Sequence, residues 1–261
     1  EEEEEEEKEK EEESMACFVP FNNRNLDTSF FVFRPTVVLV DDLLEALKHF
    51  SLCTESLGCV HSAIFKSIHG NMIIWYGAWM KRSNENKELL SAGLLSMLKN
   101  VSSMAILIDH SFFDAYAGES RDGSPAAKFS TGDTISMTAA LFSSNDINET
   151  DLSYACLAIF KSHFMKMEGT AAGVCLKCQS RSRIVALFVW KSLHSCYSWI
   201  LNTDYRKTFL PYFDHCSIDL KYDIFRVVYV SGDNVVNFQF CPPHQMLENG
   251  VESKGGQVMQ D

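Results

Sequence analysis

The residues best suited to chemistry lie in the second half of the chain. Cys175-Leu176-Lys177-Cys178 is the one C-x-x-C in the sequence. A turn between two thiolates can supply half of a tetrahedral zinc site. The other half would come from His194 or His215, with Cys196, Cys216, Cys241 and His244 as further donors. None of these forms a second ligand pair of C-x-x-C or H-x-x-x-H type. If the motif lies on a strand, alternation sends Cys175 and Cys178 to opposite faces, where they cannot share a metal. Ordinary small apolar side chains are the alternative. A thioredoxin-like role fits poorly, because the motif ends a strand instead of opening a helix.

Asp109-His110-Ser111 holds the residue types of a hydrolase triad, but a triad is a convergence in space and adjacent residues cannot form one. There is no G-x-S-x-G elbow, P-loop or G-x-G-x-x-G. Asp109, Asp114, Glu119 and Asp122 lack the spacing of a calcium loop. Arg181, Arg183, Lys191, Arg206 and Lys207 stand near Trp190, Tyr197, Trp199 and Tyr205. Bases could stack there and phosphates pair, which makes nucleic-acid binding an alternative reading. The helices expected in this region need the same aromatic residues for packing.

The elements that would carry these residues read as strands and amphipathic helices. Residues 29–33 form an aromatic, β-branched strand ending at Arg34-Pro35. Val40, Leu43, Leu44, Leu47 and Phe50 fall on one side of a helix over 37–51. Residues 59–68 and 72–81 make a hairpin, a helix spans 83–99, and 104–108 is a short buried strand. The polar, turn-rich stretch 109–131 reads as the connection between two halves. Strands follow at 134–142, 153–162, 171–178 and 183–190, then helices at 192–201 and 203–214. A closing hairpin is expected from 222–230 and 235–240.

Ala63-Ile64-Phe65-Lys66-Ser67 recurs letter for letter as Ala158–Ser162, and each copy precedes a Gly-bearing turn and an apolar run. This points to an internal duplication. The division expected is an acidic disordered segment at 1–14, an N-terminal α+β half at 15–125, a C-terminal half at 126–241 and a disordered tail at 242–261. The fold class is α+β, with antiparallel or mixed sheets and helices packed on one face.

Composition narrows the functional classes. Of the formal net charge of −12, residues 1–13 supply −9 through eleven Glu and two Lys, leaving −3 for the rest. The folded part therefore has little general attraction for phosphate backbones. Met15 reads as a natural start, with the acidic run as upstream sequence or a solvated tail. Nine scattered Cys, an odd number with no secretory leader, suit reduced thiols in the cytoplasm or nucleus. No apolar run approaches the roughly 20 residues of a membrane-spanning helix.

The opening Met15-Ala16-Cys17-Phe18-Val19-Pro20-Phe21-Asn22-Asn23-Arg24-Asn25 and the following Phe30–Pro35 carry a resemblance. So do Met72–Trp79 and Phe240-Cys241-Pro242-Pro243-His244. Over residues 15–250 the chain resembles a land-plant family of uncharacterised proteins, a domain of unknown function. The resemblance implies no activity, cofactor or catalytic residue. The sequence thus points to a non-enzymatic module that binds a protein or small molecule, with no cofactor and no membrane partner. A zinc-dependent regulator or enzyme and a nucleic-acid-binding protein are the alternatives.

Overall fold

The computed structural model describes residues 16–231 apart from 23, 37, 39, 143–148, 165 and 203–217. Among them, ten strands and four α-helices follow one another along the chain. β1 is Cys17–Pro20 and β2 Leu26–Pro35; helix α1 is Val40–Glu55. β3 (Cys59–Ser67) and β4 (Ile73–Met80) lead to α2 (Asn84–Met97) and β5 (Ala105–Ser120). β6 is Ala126–Phe129, β7 Thr134–Phe142 and α3 Glu149–Phe164. β8 (Thr170–Cys178), β9 (Arg183–Trp190), α4 (Leu193–Asn202) and β10 (Ile218–Val230) complete the set.

Two units with the same order, βαββαβ, run from β2 to β5 and from β7 to β10. Eight strands close into an antiparallel barrel in the order β10-β3-β4-β2-β5-β8-β9-β7. Each unit contributes four neighbouring strands, and the two seams between units are β3–β10 and β5–β8. Closure leaves none of the eight strands as a long open edge. The ribbon β1–β6 lies apart, and its Cys17, Val19, Ala127 and Phe129 pack among the inward side chains Phe65, Tyr76, Leu176 and Leu187. Two donors pin it: the Tyr76 hydroxyl and a His61 ring nitrogen both reach the Phe18 carbonyl at 2.7 Å.

Local chemistry accounts for the elements. In α1, Leu43, Leu47 and Phe50 recur at helical spacing and are buried. Ser83 caps α2 by accepting the Asn86 N–H. β4 is covered on both faces, by the barrel interior and by helices, so it reads as an unbroken apolar run. Gly77 is demanded by packing, since a Cβ there would stand 2.5 Å from the Trp75 ring.

Three expectations are corrected. The helices do not share one face: α1 and α2 cover the outside of the first unit, while α3 and α4 cover the second. The repeated pentapeptide is coincidence, because Ala63–Ser67 is strand in β3 and Ala158–Ser162 is helix in α3. Phe160 and Phe164, four apart, both turn inward from that helix. Third, much of the stretch read as a connecting loop is the second part of the sixteen-residue β5, and its polar residues face a seam. The expected helix at 203–214 and strand at 235–240 lie outside the described residues.

Candidate functional site

Two matched hydrogen bonds align the units. The Trp79 indole donates to Ser29 at 2.8 Å, and the Trp190 indole donates to Ser136 at the same distance. Strand registers extend the match across each sheet. In the first unit Ile64, Trp75, Phe31 and His110 stand side by side on β3, β4, β2 and β5. In the second unit the same row is Cys175, Ala186, Thr138 and Tyr222. Both rows face outward, toward the helices.

The first row is filled. Phe31 and Trp75 are fully buried, the Phe50 ring of α1 meets Trp75 edge-on at 4.9 Å, and the Trp75 indole donates to Ser51 at 2.8 Å. His110 stacks on Phe31 at 4.0 Å, and burial pushes its imidazole down to about 4 despite the neighbouring Asp109. The second row replaces an indole with a methyl and a phenyl with a hydroxyl-bearing side chain. Thr138 and Ala186 stay partly exposed there, and Tyr222 is 36% exposed. One row down, Phe188 takes the position of Gly77 and stacks on Phe160 of α3 at 5.8 Å. The floor beneath α3 and α4 is thus small and mixed in polarity, bounded by one aromatic wall.

A recess of about 690 Å³ opens between the end of α3 and α4, with His163, Lys166, His194, Ser195 and Trp199 among its lining. Trp199 and Phe188 pack against the same cluster of Met167, Trp190, Cys196 and Ile224. The His163 ring meets Trp199 at 6.5 Å, and its Nδ1 lies 2.7 Å from the Ser162 hydroxyl.

The C-x-x-C motif is split by the pleat. Cys175 lies outward beneath Phe160 and Phe164, while Cys178 belongs to the barrel interior. His194 sits on α4 at the recess, and His215 lies outside the described residues. Among the described residues no group of three or more His, Cys, Asp or Glu could hold a metal ion. Cys178 is set at the β5–β8 seam. Burial pushes its thiol up, but the Ser180 N–H and hydroxyl, the Ser111 hydroxyl and the Arg183 guanidinium outweigh that, leaving it below the ordinary value. Arg183 is itself paired with Asp109 and donates to Ser111 at 3.1 Å. Arg181 and Arg183, part of the basic and aromatic set behind the alternative nucleic-acid reading, lie at the seam, both paired with Asp109. Among the described residues no helix is long and apolar enough to cross a membrane.

Sequence reasoning missed Thr138, Ala186 and Phe188. Each looks like an ordinary strand residue, and only its partner in the other unit shows that side-chain volume has been exchanged, lost at Thr138 and Ala186 and gained at Phe188.

Comparison with known proteins gives a fold and a domain. Residues 111–225 match a domain of unknown function (DUF7392). No curated protein matches the chain. Among solved structures the chain is similar to an anthrone oxidase-like protein at 12% identity, covering 84% of this chain and 97% of that one, with a TM-score of 0.64. It is also similar to a protein from Fusobacterium nucleatum named as a monooxygenase, at 10% identity, covering 80% and 95%, with a TM-score of 0.56. A third match is a heme-binding protein from Thermus thermophilus, at 9% identity, covering 82% and 94%, with a TM-score of 0.48.

These matches correct two expectations. A plainly non-enzymatic module is not what a fold shared with proteins named as oxidase-like and monooxygenase suggests. The expectation of no cofactor is withdrawn with it, on the same two fold matches. On the sheet side of the second-unit layer the residue type able to ligate a heme iron is Tyr222, which is 36% exposed. Thr138 and Ala186 offer no ligand, and the Cys175 sulfur is covered, with the residue 1% exposed beneath Phe160 and Phe164.

Proposed function

We propose that the chain is a small-molecule-binding enzyme of oxidative type, with its ligand lying on the row Cys175–Ala186–Thr138–Tyr222 beneath α3 and α4. In this reading the N-terminal half, residues 15–125, is scaffold, and the C-terminal half, 126–241, carries the site. The observation that supports it is the exchange of Trp75 and Phe31 for Ala186 and Thr138 at matched positions of one repeated sheet. The ligand favoured is a fused-ring aromatic with a hydroxyl or carbonyl. Its face would lie against Phe188, and its polar group would reach Thr138 or Tyr222. The names of the matching oxidase-like and monooxygenase structures support the reaction class.

The test refills the site with the first unit's own residues. Ala186→Trp and Thr138→Phe are expected to abolish a saturable absorbance or fluorescence change on titration with anthrone. Oxygen uptake in its presence should be lost as well. Cooperative thermal unfolding should be kept, because Thr138 and Ala186 are both partly exposed. Parent and refilled proteins that respond alike to anthrone would end this reading.

A further inference from the structure

A second, chemically different opening lies at the β5–β8 seam. It has a volume of about 520 Å³, and Lys81, Arg82, Lys87, Lys177, Cys178 and Gln179 are among its lining residues. Its charge is unbalanced. The Asp27 carboxylate is wholly buried, and its Oδ1 takes both the Lys81 and the Lys87 ammonium at 2.9 Å. Its Oδ2 accepts the Arg82 backbone N–H, also at 2.9 Å. One carboxylate therefore faces two ammonium groups. The Arg82 guanidinium adds a third cation to the lining; it donates to the Leu57 carbonyl, and its Nε is buried with no hydrogen-bond partner among the described residues. Lys177 is set opposite Asp114 in the seam register, so these two balance each other and leave the excess in place.

Lys87 makes that excess consequential. An exposed lysine would be neutralised by water and salt, but Lys87 is only 7% exposed. Its further partners are neutral: the Gln179 amide oxygen at 3.3 Å and the face of the Phe112 ring at 5.9 Å. The Gln179 nitrogen in turn donates to Asp114 at 2.9 Å. A buried cation without a full share of negative charge is costly unless something supplies it. The opposite seam shows the contrast. There Ser67 donates to Asp223 at 2.6 Å, and the Gly70 N–H donates to Ser67.

We infer that the β5–β8 recess is a binding site for a small anion whose carboxylate or phosphate group completes the coordination of Lys81, Lys87 and Arg82. Gln179, on the β8–β9 hairpin, gives the site a wall from the other unit, so occupancy would tie the units together at this seam. The site lies apart from the layer beneath α3 and α4 and does not depend on the reading of that layer.

Calorimetric titration of the full chain at low ionic strength, with inorganic phosphate and with succinate as separate probes, tests the inference. Saturable one-site binding of at least one probe is expected; which one binds distinguishes a phosphate from a carboxylate ligand. Lys81 is 40% exposed at its side chain, so Lys81→Gln should fold normally and weaken binding by about fivefold or more. Lys87→Met should remove binding; if that variant does not fold, Arg82→Gln serves in its place, with the same direction expected as for Lys81→Gln. No saturable heat with either probe, or unchanged affinity in Lys81→Gln and Arg82→Gln, would overturn the inference.

Discussion

The two units of the barrel are built to one plan and filled differently. In the first, the sheet faces its helices with Trp75, Phe31 and Phe33, and the layer is closed by Leu43, Leu47 and Phe50. In the second, the corresponding strands present Ala186, Thr138 and Ala140, and α3 offers Phe160 and Phe164 along one edge. Equal topology with unequal filling teaches that the layer between sheet and helices is where this fold can exchange stability for space. The first unit fills the layer with Trp75 and Phe31, and the second carries smaller side chains at those positions with Phe188 at the position of Gly77.

The largest test of that contrast is Trp75→Ala. It removes a fully buried indole and its bond to Ser51, and about 3–5 kcal/mol of stability should be lost in urea unfolding. A loss below about 1 kcal/mol would mean the first layer is not the tighter one. Acid should also act on the first unit. Burial pushes His61 down to about 4, with the Phe18 carbonyl opposing, from 6.5 in the unfolded chain. The unfolded chain therefore takes up this proton first. The stability is fully present above pH 6.5 and declines as pH falls toward 4, by up to roughly 3 kcal/mol. His110, pushed down to about 4 as well, adds a slope of the same sign over the same window. The matched positions of the second unit hold Ala172 and Tyr222, so no imidazole stands at either. His61→Gln should reduce the slope between pH 6.5 and 4, leaving the His110 share; an unchanged slope would place the acid sensitivity elsewhere.

Smaller effects sharpen the equivalence itself. Ser29→Ala and Ser136→Ala each orphan a buried indole N–H and should cost about 1–3 kcal/mol, by similar amounts. Very unequal costs would show that the two Trp–Ser pairs are alike in geometry alone. Smallest of all, Ser83→Ala and Ser192→Ala remove hydroxyls that accept N–H groups at the starts of α2 and α4. Each should cost about 1 kcal/mol in thermal or denaturant unfolding.

What the sequence discloses depends on whether a signal is local. The aromatic run of β2, the amphipathic α1 and the hairpin of β3 and β4 are legible because periodicity and turn residues lie within one window. α3 reads as a strand, since Ala-Cys-Leu-Ala-Ile-Phe is apolar without a break and its helical signal, Phe160 with Phe164, falls at the end. β5 reads too short for a different reason. Asp109, Ser111 and Asp114 look like a loop until Arg181, Arg183 and Gln179 arrive from far along the chain to satisfy them. The five repeated letters do not correspond in space. The similarity of the units lies instead in single residues such as Ser29 with Ser136 and Trp79 with Trp190. The candidate site is not legible in sequence because it is defined by smaller side chains at positions matched between the units, which no residue announces by its own type.

Both seams of the barrel are closed within one polypeptide. Two separate copies would have to find each other, and their union would loosen on dilution. Here the joining segment around β6 holds the partners at a fixed ratio of one to one, so assembly is a matter of folding and not of abundance. With both units in one polypeptide, a substitution enters one of them alone, whereas in a pair of identical copies it would enter both.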